Sequence, residues 1–172
     1  NTVEEYDGSS WTTVTSAPTN NYSAGMAGIQ TSAIQIAGAT NPGQASVEYD
    51  GTNWTAGGSL TTGRSQGGYA GTTQDSAMAI SGETPPGPKT VNCEQYDGTS
   101  WSEIVNVSTA GNPSGNSPGG STSTAFFSSG QSRPLATEEY NKSTNTITAA
   151  AWASGGALPA TVSANQGAGI QT

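Results

Sequence analysis

Residues 5–11, EYDGSSW, decide how this chain folds, because nearly the same phrase returns as EYDGTNW at residues 48–54 and as QYDGTSW at residues 95–101. Asp-Gly is a strong hairpin signal: Gly accepts a positive φ without a Cβ penalty, and Asp bonds its own backbone in the turn. The Tyr before the turn and the Trp after it then lie on adjoining antiparallel strands, close enough for cross-strand contact. The phrase reads as a β-hairpin carrying two aromatic packing residues. Its repetition points to a structural unit, since an enzyme needs one constellation and a repeat array needs many.

Outward from these hairpins the register holds. Tyr6 and Trp11, Tyr49 and Trp54, and Tyr96 and Trp101 are each five apart; a fourth pair, Tyr140 and Trp152, carries a seven-residue insertion in the same turn. Six residues beyond each Trp stand Ala17, Leu60, Val107 and Leu158. Eleven further come Gly28, Gly71 and Gly169, while the third copy reaches its equivalent, Gly120, two residues later. Apolar strands ending in glycine follow in three copies: SAIQIAG (32–38), SAMAISG (76–82) and TAFFSSG (124–130). The tyrosines are spaced by 43, 47 and 44 residues, a period of propeller blades or solenoid coils.

The pattern predicts an all-β fold with four short antiparallel strands per repeat, in the second copy at 47–50, 53–55, 67–73 and 75–81. One repeat domain, 1–172, divides at about 1–44, 45–88, 89–135 and 136–172. The last repeat lacks its final strand, so fifteen strands are expected, with a neighbouring copy, an unseen tail or a longer chain supplying the missing one. Asn1 is not an initiator Met, and the chain is expected to be a processed product or an excerpt of something longer.

An apolar strand ending in glycine, a loop, a Tyr, a Trp, then a Leu/Pro-like step and a small-residue strand resembles the kelch repeat of β-propellers. The YDGTxW variant resembles kelch-like arrays of bacterial and phage surface and fibre proteins. The resemblance covers the whole chain and implies four-stranded antiparallel blades in a propeller or propeller-like array of four repeats. Two departures stand out. The family's paired glycine is Ala37-Gly38, Ser81-Gly82 and Ser129-Gly130 here, and its Arg is present as Arg64, with Asn21 and Val162 in its place elsewhere.

Composition narrows function by exclusion. A net charge of −8, with Arg64, Lys89, Arg133 and Lys142 as the basic residues, leaves no positive footprint for nucleic acid. No apolar run approaches the ~20 residues that span a bilayer, and no basic amphipathic helix suits a membrane surface. Histidine is absent, which removes the commonest general base and metal ligand. Asp7, Asp50 and Asp97 read as turn formers, and Glu4-Glu5 and Glu138-Glu139 point to opposite faces of their strands. Cys93, alone in the chain, reads as a small apolar filler. No catalytic residue, cofactor or metal is assigned.

The residues expected to carry the protein's role are therefore structural: Tyr6, Trp11, Tyr49, Trp54, Tyr96, Trp101, Tyr140 and Trp152 as packing residues, and Gly8, Gly51 and Gly98 in the turns. Trp54→Ala is expected to cost about 3–5 kcal/mol, as for a large buried aromatic. Asn21, Asn53, Asn106 and Asn141 are candidate glycosylation acceptors. The expectation is a non-enzymatic extracellular structural module of a fibre or surface appendage, partnered by its own kind. The alternative is an adhesion module binding glycans or a receptor through loops that vary between copies, at 41–45, 83–89 and 112–119.

Overall fold

The computed structural model describes residues 2–18, 21–40, 43–111, 119–128, 137–142 and 151–154, the last four by their backbone. Strands β1 (Val3–Tyr6) and β2 (Trp11–Val14) form a hairpin. A first sheet follows from β3 (Gly25–Ile29), β4 (Ser32–Ile36), β5 (Ser46–Tyr49) and β6 (Trp54–Ala56). A second comprises β7 (Gly68–Thr73), β8 (Ser76–Glu83), β9 (Lys89–Tyr96) and β10 (Trp101–Ile104). The third comprises β11 (Gly119–Gly120), β12 (Thr124–Ser128), β13 (Thr137–Asn141) and β14 (Ala151–Ser154). Each sheet is an antiparallel meander in chain order. The protein is all β, with four-stranded sheets as expected, and each sheet straddles a boundary of the sequence repeat.

The hairpin turn explains the conserved register within the chain. Asp7 Oδ1 accepts the Ser9 and Ser10 N–H groups at 2.7 and 2.8 Å, Asp50 Oδ1 those of Thr52 and Asn53 at 2.8 and 2.7 Å, and Asp97 Oδ1 those of Thr99 and Ser100 at 2.9 and 2.8 Å. These backbone bonds hold all three carboxyls below their ordinary range. Gly8, Gly51 and Gly98 follow at φ of 100°, 93° and 91°, where a side chain would be strained. The turn places Tyr6 opposite Trp11, Tyr49 opposite Trp54, Tyr96 opposite Trp101 and Tyr140 opposite Trp152. In the first three pairs the ring centroids are 5.2, 4.7 and 5.0 Å apart, tilted by 31–37°. That is the range of favourable aromatic contact.

Strand ends differ from the sequence reading for a backbone reason. Asp50, Asn53 and Asp75 belong to turns. The glycine-ended strand β4 stops at Ile36, because Ala37 and Gly38 take φ of 59° and 125°. In β8 the same left-handed pair, Ser81 and Gly82, is absorbed as a register shift, and pairing resumes to Glu83.

The core lies between sheets. Ile34, Ile36 and Leu60 of the first unit pack with Tyr69, Ala77, Ala79, Tyr96 and Trp101 of the second. On the opposite face of the second sheet, Ala70, Met78, Ile80 and Cys93 pack with Ala125, Phe127 and Tyr140 of the third. Strand β8 is thus buried on both faces from Ala77 to Gly82, which is why it reads as a near-continuous small and apolar run. Ala17, Leu60 and Val107, the residues six beyond each Trp, are all buried; Leu158 lies outside the described residues.

The pairs Tyr49–Trp54 and Tyr96–Trp101 face the preceding unit, and their burial follows what that unit offers. Tyr96 and Trp101, lying on a full sheet, are 1% and 6% exposed. Tyr49 is buried but Trp54 only half-buried, because the preceding unit is the β1–β2 hairpin. Tyr6 and Trp11 are 48% and 67% exposed. Tyr6 and Trp11 pack on each other, and among the described residues no sheet lies over them. The side chain of Trp152 lies outside the described residues.

The large truncation cost expected at Trp54 accordingly belongs to Trp101. Urea unfolding of Trp101→Ala is expected to show a loss of about 3–5 kcal/mol, and Trp54→Ala a distinctly smaller one. Equal losses would contradict the graded burial.

Candidate functional site

A buried tyrosine or tryptophan still needs a partner for its O–H or N–H, and here the preceding unit supplies it. The Tyr49 hydroxyl donates to Glu5 Oε1 at 2.8 Å, and the Tyr96 hydroxyl donates to Glu48 Oε1. Glu5 and Glu48 each immediately precede the tyrosine of their own unit. The glutamates of the repeated phrase are thus acceptors across the interface. The indole N–H of Trp54 donates to Thr15 O at 3.0 Å. That of Trp101 donates to Ser46 Oγ at 3.3 Å, and Ser46 Oγ donates on to Gly58 O at 2.5 Å. Thr15 and Gly58 both stand four residues beyond the Trp of their unit, so one carbonyl position serves both indoles.

A second contact joins each connector to the next sheet. Glu94, fully buried, accepts the Thr61 and Thr62 N–H groups at 2.7 and 3.2 Å and pairs with the buried guanidinium of Arg64. Arg64 also donates through Nη1 to Asn92 O at 2.7 Å and Ser81 O at 3.2 Å, and through Nε to Thr62 O at 3.3 Å. Glu138, the equivalent of Glu94, accepts Ser108 N–H at 2.8 Å and Ser108 Oγ–H at 3.0 Å. At the corresponding positions of the first interface stand Pro18, which has no N–H, and Val47, which has no acceptor.

The remaining candidates are soon placed. Cys93 is buried, and burial pushes its thiol up to about 11, which suits a core filler rather than a nucleophile. Among the described residues no three of Cys, Asp and Glu gather as metal ligands. Of the four glycosylation acceptors, Asn53, Asn106 and Asn141 are exposed. Asn106 uses its Oδ1 to accept Cys93 N–H at 3.1 Å. Asn21 is committed through its amide: Nδ2 donates to Ala37 O, and Oδ1 accepts the Thr40 hydroxyl at 3.0 Å. The variable loop 83–89 is described; residues 41–42 and 112–118 of the other two lie outside the described residues.

The surface feature that sequence reasoning missed is at the amino-terminal unit. A groove of about 390 Å³ is lined by all four residues of β1 together with Trp11, Met26 and Ile29 of the hairpin and first sheet. Met26 is 51% and Ile29 59% exposed. Glu4 lines it as a carboxylate, and Gln30 as an amide whose Nε2 donates to Glu5 Oε2 at 3.0 Å. The sequence signal for it was the position of the first hairpin, which among the described residues has no inner strands. Comparison with protein-family models and with curated proteins finds no match.

The interface tyrosines set an alkaline limit. Burial first, and then the bond to Glu5, pushes Tyr49 up to about 12; burial and the bond to Glu48 do the same to Tyr96. Burial also pushes Tyr69 up to about 12 and raises Tyr140. A folded-state value above the unfolded one, near 10, gives stability that is complete below pH 10 and is lost as pH rises toward 12. Absorbance titration of phenolate is expected to show these tyrosines ionising together with unfolding in that window. Their smooth titration near pH 10 in the folded chain would contradict the interface assignment.

Proposed function

We propose that the chain is a non-enzymatic structural repeat module, a kelch-like array of four-stranded blades that forms or belongs to an extracellular fibre or surface appendage. The observation that carries this reading is the Tyr-to-Glu ladder. The recurrent carboxylates Glu5 and Glu48 are engaged in joining one sheet to the next, where an enzyme would hold such groups toward a substrate. The left-handed backbone at Ala37 and Ser81 supports the resemblance, since these residues occupy the place of the kelch repeat's first paired glycine. So does Arg64, whose guanidinium lies between connector and sheet. The partners are copies of the same repeat, in one longer chain or between chains. A sugar coat at exposed acceptors such as Asn53 and Asn141 would suit an extracellular surface of low charge.

Light scattering on native material, paired with the mass of the denatured chain, tests this. A very large native mass with a small denatured chain is expected for a non-covalent fibre, and a large denatured chain for a covalent array. A native mass near one chain of 17.1 kDa would overturn both.

One observation favours a second reading, an adhesion module for glycans or a receptor. Tyr6 and Trp11 expose their rings beside a groove that also offers Glu4 and Gln30, an aromatic platform with polar groups suited to a sugar. A glycan array with no hit, together with unchanged Trp fluorescence on addition of sugars, would count against it.

A further inference from the structure

The Asp-Gly pairs of the hairpin turns each set a carboxyl beside the main-chain nitrogen of a residue without a side chain, the arrangement from which aspartate isomerises. The glycine nitrogen attacks the aspartate Cγ, one carboxyl oxygen leaves as water, and the cyclic imide so formed takes up water again at either carbonyl. Opening at one carbonyl restores the chain. Opening at the other leaves isoaspartate, whose main chain runs through Cβ and Cγ and is longer by one carbon. The balance needs nothing but water, to which Asp50 and Asp97 are exposed.

The folded turns oppose each step. The departing oxygen has to be protonated, yet the backbone bonds that hold both carboxyls below their ordinary range keep them ionised. Cγ has to swing onto the glycine nitrogen, yet Asp50 Oδ1 is tied to the Thr52 and Asn53 N–H groups and Asp97 Oδ1 to those of Thr99 and Ser100. The main chain is fixed as well: Asp50 N–H donates to Asn53 O at 3.2 Å and Asp97 N–H to Ser100 O at 3.3 Å. Both turns are packed inward, since a Cβ on Gly51 would lie 3.2 Å from Thr31 Cα and one on Gly98 3.2 Å from Asp75 Cβ, each in the adjoining turn of the same sheet.

We propose that Asp50 and Asp97 are latent isomerisation sites: silent while their hairpins are closed, reactive when a hairpin opens, and once converted unable to close it as before. The last step follows from the loop. An added main-chain carbon between Tyr49 and Trp54, or between Tyr96 and Trp101, changes the loop length that sets each pair in register. The displaced carboxylate also leaves the N–H groups of the turn without their acceptor. Isoaspartate then accumulates as a record of units that have opened, whether or not the chain forms a fibre.

The test incubates the full chain at neutral pH, folded and in urea, beside a synthetic peptide of residues 48–54, EYDGTNW, in the same two solutions. Peptide mapping with fragmentation that distinguishes isoaspartate follows the product at each site, and the peptide gives the effect of urea itself, by which the ratio is corrected. Isoaspartate at Asp50 and Asp97 is expected to form at least about tenfold more slowly in the folded chain, the factor that corresponds to one hydrogen bond to a charged group. Ser100→Pro removes one donor to Asp97 Oδ1 and is expected to raise the rate at Asp97, with Asp50 unchanged as the reference within the same molecule. Far-UV circular dichroism checks that this variant folds; if it does not, the comparison of folded and urea-treated chain decides alone. After removal of urea, chain carrying isoaspartate at Asp97 is expected to lack amide-exchange protection in β10. Isomerisation of the folded chain at the peptide's rate, an unchanged rate at Asp97 in folded Ser100→Pro, or full protection of β10 in the converted chain would overturn the proposal.

Discussion

Burying a tyrosine hydroxyl and an indole N–H at an interface obliges the facing sheet to present acceptors, and the rest of this structure is arranged around that obligation. The hairpin turn comes first, because it sets Tyr and Trp side by side as one aromatic block. The preceding sheet then supplies a glutamate to the hydroxyl and a backbone carbonyl to the indole. Where a hydroxyl-bearing residue occupies the third position before the tyrosine, as Ser46 does, it relays the bond from Trp101 to Gly58 O. Where Val3 stands there instead, Trp54 reaches Thr15 O directly. The same need is met two ways, with the side chain at one position deciding which.

The connectors repeat the logic with buried carboxylates. Thr61 with Glu94 and Ser108 with Glu138 are two versions of one contact, an orphan N–H satisfied from the next sheet. Pro18 with Val47 is the third version, in which donor and acceptor are both missing. Arg64 and Asn21 are likewise counterparts: their side chains donate to Ser81 O and Ala37 O, the carbonyls of the left-handed residues. Gly111 occupies that place in the connector between the second and third sheets and has no side chain; its N–H donates to the Ser81 hydroxyl at 2.9 Å, and its carbonyl accepts the Gly82 N–H at 3.0 Å, as the Arg64 carbonyl accepts the Gly38 N–H at 3.0 Å. A buried ion pair such as Arg64–Glu94 adds little net stability against an apolar substitute, while removal of one member is costly. Together with the Thr61 and Thr62 bonds, it joins this connector to the second sheet.

Much of this was legible in the sequence because turns and periods are local. Asp-Gly announced the hairpins, and the spacing of Tyr, Trp and Gly announced antiparallel strands in register. The recurring glycines 28, 71 and 120 take φ of 111°, 157° and 120°, and a Cβ on each would lie 2.1–2.5 Å from the carbonyl oxygen of Ser32, Ser76 or Thr124. What the sequence did not disclose is non-local. Glu precedes Tyr in three copies, yet nothing in that pattern says that the acid serves the next unit's tyrosine rather than its own. Arg64 drew notice through the resemblance to the kelch repeat, but its partner lies 30 residues away. Exposure of Tyr6 and Trp11 was hidden for the same reason: their phrase matches the other two, and burial is decided by a neighbour the phrase does not contain.

Energetic weight in this fold therefore belongs to interfaces, not to copies of the motif. In a stack where each unit touches only its neighbours, stability is a sum of intrinsic and nearest-neighbour contributions. The second sheet has a neighbour on both faces, and six consecutive residues of β8 are buried. The first sheet has a full neighbour on one face and a hairpin on the other, and its tryptophan is half-buried. The hairpin has a neighbour on one face alone, and its aromatics face outward. One heptapeptide thus takes three energetic roles in a single chain. The apolar surface left at the first unit is the face that, one unit later, is closed by two isoleucines and a paired strand edge.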